Sequence, residues 1–392
     1  MSIIEHYPQI SGSNSRLTCI ANQLASTTVL APHNGRPFSE AMLLGISGGL
    51  GCTYILWEFK KYSTASLVTG FTYRCNYFKE AVTQAIERAG AKVTFRETSG
   101  SKTAIKHLDQ ALDEGKIPSG LLDPYYMPHR GIPDHLEGCG GIDVTICGRE
   151  GNGYLVQDRG IFPLNSKDMS SARGRVGSYK NRLVLLEPAG AIDIEKSIRA
   201  GIADCVRYLG EPSTSFGIPA IAKWARLITD SENQKGWRKV FAEGRGLFNT
   251  LVSIYTSIEQ DGSGGLRNLY AEFLGEADAI VSGLEDARAA YKTSASAWTR
   301  VAHTAIASFP EMRKLCDERL QLLAKSDSSG LKEVNAEIEN QRKTHDGNTF
   351  EPDGLFDELQ SNLKAVVAAE KSAHATLKAS EKQIEASRGF TG

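Results

Sequence analysis

The sequence predicts an α+β half followed by an all-α half with long helices, and three observations predict it. Between residues 37 and 190, helical periodicity alternates with short strand-like runs bounded by glycine and proline. After Asp193 the strand signals vanish and helical periodicity runs almost to the end. At 392 residues the chain is long enough for two domains with a core each, and the change of character sets them at 1–190 and 191–392.

Taken in order, Asn14, Ser15 and Thr18 are good N-cap types ahead of 20–26, so a first helix starts near Cys19. A second helix over 38–45 precedes the glycine run 45–51. Residues 66–71 and 92–95 read as strands, with a helix over 78–89 that stops at Gly90. Helical spacing returns over 104–112 and ends near Gly115. Buried strands follow at 120–127 and 142–147. Gly151-Asn152-Gly153 is a tight turn, and 154–158 returns antiparallel, so 144–158 is a hairpin. In the second half, Pro212 and Pro219 break the first helices, and a flexible turn at 261–265 leads into a long amphipathic helix over 266–291. Charged helices around 311–323 and 357–387 are separated by a polar, glycine-containing stretch and suit an antiparallel pair. The Ala, Glu and Lys content of 365–385 favours helix and offers a face for a homodimer, although most such faces are solvated.

Composition excludes several functions. With 45 basic against 46 acidic residues the net charge is -1, so no overall field draws nucleic acid or an anionic membrane. No apolar run approaches a membrane span, and residues 1–6 lack the basic and apolar regions of a secretion signal, which predicts a cytoplasmic protein. Seven cysteines without paired spacing suit reduced thiols. Neither CxxC, a histidine cluster nor a dinucleotide fingerprint occurs, so no metal or cofactor is expected.

Cys19 is the first chemical candidate. A thiol at a helix N-terminus ionises more readily than the ~3% thiolate of free cysteine at pH 7, whose pKa is about 8.5; the plain alternative is a small buried residue. Cys52 and Cys147 read as core, and Cys139, in a glycine-rich loop, as a second thiol with or without a role. The run 45–51 lacks a following Lys-Ser/Thr and follows a helix, so close packing explains its glycines better than phosphate binding does. Arg267 and Glu272 flank Tyr270 as ordinary surface pairs or point at a domain junction. Asp123, Arg130, Arg149 and Arg159 surround the hairpin in sequence, either solvated or gripping an anionic group.

Residues 38–51 (Phe-Ser-Glu-Ala-Met-Leu-Leu-Gly-Ile-Ser-Gly-Gly-Leu-Gly) with Tyr54, preceded by Cys19 and followed by 100–112, resemble the N-terminal domain of the butirosin biosynthesis protein H family. The resemblance continues through 124–128 and the 144–158 hairpin, and 265–277 with Trp298 is similar to the helical domain that often follows in that family. It implies a papain-like cysteine-nucleophile fold, used in the founding member to move an acyl group from a carrier-protein thioester to an amine. Family members typically show a cysteine, a histidine opening a later strand and an aspartate on the next strand. Carried over by position, Cys19 matches the nucleophile and Asp158 the orienting carboxylate. The histidine does not carry over: counting back from Gly148, its place holds Ile142, beside Gly141 and Asp143, and Thr18 replaces a second frequent histidine.

Three routes around that loss exist. His129 or His135, on the loop before the strand, enters the site as the proton carrier; Asp143, which alternation sets opposite Ile142, acts as base if burial raises its pKa from near 4; or proximity to an activated thioester supplies much of the rate. Tyr125, Tyr126, Asp143 and Arg267 are the substrate-binding candidates within the resembling stretches. The resemblance thus implies an acyltransferase-like enzyme of natural-product biosynthesis, with an acyl carrier protein or other thioester donor and a small-molecule acceptor as partners. A non-catalytic relative that binds a carrier or partner, and a cyclase or hydrolase on the same scaffold, are the competing readings.

Overall fold

A computed structural model describes residues 2–59, 64–74, 77–132, 134–259, 263–347 and 353–388. The chain begins with β1 (Ser2–Ile3), α1 (Ser15–Ser26), α2 (Glu40–Ile46), β2 (Leu50–Phe59), β3 (Thr64–Thr72) and α3 (Phe78–Arg88). It continues with β4 (Ala91–Arg96), α4 (Ser101–Asp113), β5 (Ser119–Leu122), β6 (Ile142–Glu150), β7 (Gly153–Asp158), β8 (Gly160–Leu164), α5 (Ser166–Gly174) and β9 (Leu183–Pro188). Helices make the remainder: α6 (Ile194–Leu209), α7 (Gly217–Thr229), α8 (Trp237–Val240), α9 (Leu247–Glu259) and α10 (Arg267–Val281), then α11 (Glu285–Ile306), α12 (Pro310–Ala324), α13 (Ser328–His345) and α14 (Asp353–Arg388). The protein is therefore mixed α and β with a helical C-terminal part.

Its two compact units do not follow chain order. One comprises 1–40, 86–192 and 314–339; the other comprises 41–85, 193–313 and 340–392. The expected boundary at 190 is close to one crossing point, but 41–85 packs with the later helices and 314–339 with the sheet. Apolar burial explains the exchange. Leu323 and Leu331 are fully buried in the sheet unit's core, while Leu50, Cys52 and Tyr54 are buried in the other unit.

The first unit is built on a seven-stranded antiparallel sheet of order β4-β9-β5-β6-β7-β8, with β1 paired to β6. The predicted hairpin is present, with Thr145 opposite Gln157 and Ile146 opposite Val156. Val144, Ile146, Tyr154, Val156 and Phe162 close a core with Leu108, Leu112 and Met169. Strand alternation then turns Asp143 and Thr145 to the opposite face, where α1 packs. The expected strand over 120–127 is shorter. It ends at Leu122, because Pro124 opens a 3-10 turn that Asp123 caps through Tyr125 N at 3.0 Å.

In the second unit the glycine run does the packing expected of it. A side chain at Gly49, whose φ is +71, would meet the Tyr270 ring at 2.7 Å and Cys205 Sγ at 3.0 Å; one at Gly45 would enter the Phe273 ring. The two stretches that carry the family resemblance, 38–51 and 265–277, therefore share one core, and their small residues exist to let it close. Gly49→Ala is expected to destabilise this unit by roughly 1–3 kcal/mol through overpacking alone, read as a lower urea midpoint at unchanged slope.

Three helical expectations change. The helix over 266–291 is broken, because Ser282 (φ 45) and Gly283 (φ 94) turn the chain out of α10 before α11 begins. The polar stretch after 323 is itself the helix α13. The flexible turn placed at 261–265 falls partly on 261 and 262, which lie outside the described residues. Instead of pairing with 311–323, α14 lies against α6, α7 and α11, with Phe356, Leu359, Leu363, Val366, Ala373 and Leu377 buried along one stripe.

Candidate active site

Cys19 is the fifth residue of α1, whose start is fixed by Asn14: the side-chain oxygen accepts from Leu17 N at 3.2 Å, and Glu40 accepts from Ser13 N at 2.9 Å and from Asn14 N. The expectation of a strongly polarised thiol is weakened by this placement. The four unpaired N–H groups of a helix lie N-terminal to the fifth residue, and the dipole effect fades after the first turn. Burial decides instead: Cys19 is 4% exposed. Desolvation pushes its thiol well above the ordinary range, the Asp143 charge adds to this, and the Thr145 hydroxyl and Arg16 only partly offset it. At neutral pH the sulfur is a protonated thiol.

The strand face opposite Cys19 carries Asp143 and Thr145, not Ile142. Asp143 is buried and accepts from Arg16 Nε at 3.1 Å, whereas Ile142 packs toward the sheet's core cluster. Of the three routes around the missing histidine, Asp143 is thus the one whose side chain the fold brings to the sulfur.

Asp158 takes the other side of the sheet. His129 stacks flat on Phe162, with ring centroids 3.9 Å apart, and Phe162 pairs with Val156 in register. His129 Nε2 donates to Asp158 Oδ2 at 2.9 Å, Arg130 Nε donates to the same oxygen at 2.6 Å, and Arg130 Nη2 donates to Oδ1. Burial would raise the Asp158 carboxyl, but the Arg130 charge and these hydrogen bonds outweigh it and hold it far below the usual carboxylate range. Burial lowers the His129 pKa against the opposing pull of Asp158, so the imidazole is neutral. Asp158 still acts on the Cys19 thiol through its charge. His129, however, is committed to Asp158 and Phe162, which argues against its role as proton carrier to Cys19.

The remaining candidates separate. His135 falls in the turn Asp134–Leu136, and its side chain lies outside the described residues. Tyr125 donates to Asp134 Oδ1 at 3.1 Å and Tyr126 to Glu137 Oε1 at 2.5 Å, so both phenols brace the 123–138 loop. Arg267 is not a surface residue. It is fully buried within the second unit, with Nε on Glu370 Oε1 at 2.7 Å, Nη1 on Gly265 O at 2.7 Å and Nη2 on Gly51 O at 3.0 Å. With every donor-bearing nitrogen engaged, it is a structural group and not a substrate ligand. Cys147 is buried as core, and Cys139 is exposed. Arg149 pairs with Asp109 and Asp113.

Several site residues escaped sequence reasoning. Tyr7 reaches the Cys19 neighbourhood from residues before the first helix, donating to Gln157 Oε1, and burial raises its phenol far above the ordinary range. Gln157 Nε2 donates to Ile10 O at 2.7 Å. Arg319, on α12, donates from Nε to Asn335 Oδ1 at 2.7 Å and from Nη2 to Arg130 O at 2.5 Å, which ties the His129–Arg130 turn to helices far away in sequence. Only the alternation of 154–158, which sets Gln157 beside Thr145, held a usable signal.

Residues 23–159 match the family described as Butirosin biosynthesis protein H, N-terminal, and residues 167–327 match a domain of unknown function (DUF4872). Residues 23–159 therefore carry a butirosin biosynthesis protein H N-terminal domain. No curated protein matches the chain. The N-terminal match includes Asp143, Thr145, Gln157 and Asp158 but starts after Cys19, so Cys19 stands on the geometry of α1. Among the described residues no helix is long and apolar enough to cross a membrane, and no group of three or more His, Cys, Asp or Glu could hold a metal ion.

Proposed function

We propose that this protein transfers an acyl group in natural-product biosynthesis, through a papain-like first unit in which Cys19 is the nucleophile and Asp143 replaces the histidine. The observation that carries the reading is the grouping of the Cys19 sulfur with Asp143, Thr145 and Arg16 between one helix and one strand face. In the first step the thiol proton passes to the Asp143 carboxylate as sulfur attacks a thioester carbonyl. The donor's C–S bond breaks, and the departing thiolate takes the proton back from Asp143. An amine or hydroxyl acceptor then attacks acyl-Cys19; its C–N or C–O bond forms as the C–S bond breaks, and its proton returns to the Cys19 sulfur. A carrier protein is the proposed thioester donor and a small molecule the acceptor. Asp158 is a positioning residue that holds the His129–Arg130 turn.

The test is intact mass after incubation with an acyl thioester of N-acetylcysteamine. The expected result is one acyl adduct, mapped to Cys19, absent in Cys19→Ala and formed about 100-fold or more slowly in Asp143→Asn. An adduct that persists in Cys19→Ala overturns the assignment. A second reading, a relative that binds a carrier or partner without turnover, is favoured by the burial and raised pKa of the thiol. It predicts saturable carrier binding with no adduct at all.

A further inference from the structure

The sulfur proposed as nucleophile is sealed by the chain's own first residues. Ile4 N donates to Cys147 O at 2.8 Å, and β1 adds two residue pairs to β6. Ile10 is held by Asn22, whose Oδ1 accepts from Ile10 N at 2.8 Å and whose Nδ2 donates to Ile10 O at 2.8 Å. Between these two anchors Tyr7 is inserted among Gln157, Thr145, Cys147 and Cys19. The segment around it is weakly committed. Ile3, Glu5, His6 and Gln9 are exposed, and His6 (φ 63) and Gln9 (φ 50) bracket Tyr7 in left-handed backbone that disfavours residues other than glycine. A short two-pair strand, a few hydrogen bonds and two strained residues describe a segment that opens before the sheet beneath it does.

We propose that residues 3–13 are a displaceable cover and that Tyr7 plugs the slot an acyl group takes beside Cys19. The slot has a side-chain amide from Gln157 and a hydroxyl from Thr145 at its polar end, so the group that replaces Tyr7 is ring-sized or a short chain and ends in a hydroxyl or carbonyl able to bond Gln157. The cover resolves the conflict between a buried sulfur and a nucleophilic role, and in that sense it deepens the acyl-transfer reading.

Thiol alkylation tests the cover without any thioester, so its outcome is separate from that of the acyl-transfer reading. The full chain is treated with iodoacetamide and each cysteine is quantified by peptide mass spectrometry. In the unaltered protein Cys139 is modified readily and Cys19 at least tenfold more slowly; in Tyr7→Ala, Cys19 accelerates at least tenfold while Cys205 and Cys316, buried away from Tyr7, stay protected. Free p-cresol, the Tyr7 side chain as a separate molecule, slows Cys19 modification in Tyr7→Ala and has no effect on Cys139. Equal rates at Cys19 and Cys139 in the unaltered protein, no acceleration in the variant, or no protection by p-cresol overturns the proposal. Should Cys205 and Cys316 open as well, the variant has lost its fold and hydrogen exchange of the unaltered chain decides. Amides of Ile4 and Ile10 must then exchange faster than those of 18–24, and equal protection rejects the cover.

Discussion

Replacing Glu370 with alanine is expected to be among the most damaging single changes in the protein, costing roughly 3–5 kcal/mol. Glu370 and Arg267 are both fully buried, and one carboxylate oxygen accepts from Arg267 Nε at 2.7 Å, Ser294 Oγ at 2.7 Å and Trp298 Nε1 at 2.8 Å. Burial would raise the Glu370 carboxyl, but the Arg267 charge and these hydrogen bonds hold it below the usual value, so it is ionised. Truncation leaves a guanidinium in the core without its counter-charge and two further donors without an acceptor. Thermal unfolding followed by circular dichroism measures the loss. The double variant Arg267→Met with Glu370→Leu is expected to recover most of it, since removing both charges removes the desolvation cost together with the attraction. A double variant no better than Glu370→Ala would mean that the group acts through packing and not through charge.

Asp158→Ala is the counterpart in the first unit, with an expected cost also of about 3–5 kcal/mol. It strips Arg130 and His129 of the one carboxylate they share. Two pH effects follow. The depressed Asp158 carboxyl contributes stability that is present above the unfolded value, near 4, and lost as pH falls through its folded value. The lowered His129 pKa acts in the same direction but earlier: below about 6.5 the unfolded chain takes up a proton that the buried imidazole refuses. Melting temperature in the unaltered chain is therefore expected to fall in two stages on acidification. In Asp158→Asn the stage below pH 4 should be weakened, and an unchanged profile in that variant would refute the assignment.

How much of this was legible in the sequence depends on the range of the interaction that fixes each part. Local signals were readable: Asn14 as a cap, Gly151-Asn152-Gly153 as a hairpin turn, the helix that stops before Gly90 and the packing role of the glycine run all follow from neighbours within a few residues. The partition of the chain was not. Nothing local in 314–339 says that Leu323 and Leu331 complete a β-sheet core, because their spacing is ordinary helical spacing. In the site, alternation correctly set Asp143 and Ile142 on opposite faces, but only tertiary packing shows that Asp143 turns toward Cys19 and that His129 is bound to Asp158. Arg267 shows the opposite failure. On a helix surface it reads as an exposed member of an i, i+3 or i, i+4 pair, and its true partner lies more than 100 residues further along.

The interleaving of the two units also bears on how this protein is made. The sheet's last core residues, Leu323 and Leu331, emerge from the ribosome long after β9, so the first unit waits unfinished while about 120 residues destined for the second are synthesised between them. During that interval its incomplete apolar face is exposed to chaperones and to other nascent chains. Expression yield should therefore respond to translation speed between residues 193 and 339 more than to any change in the proposed site.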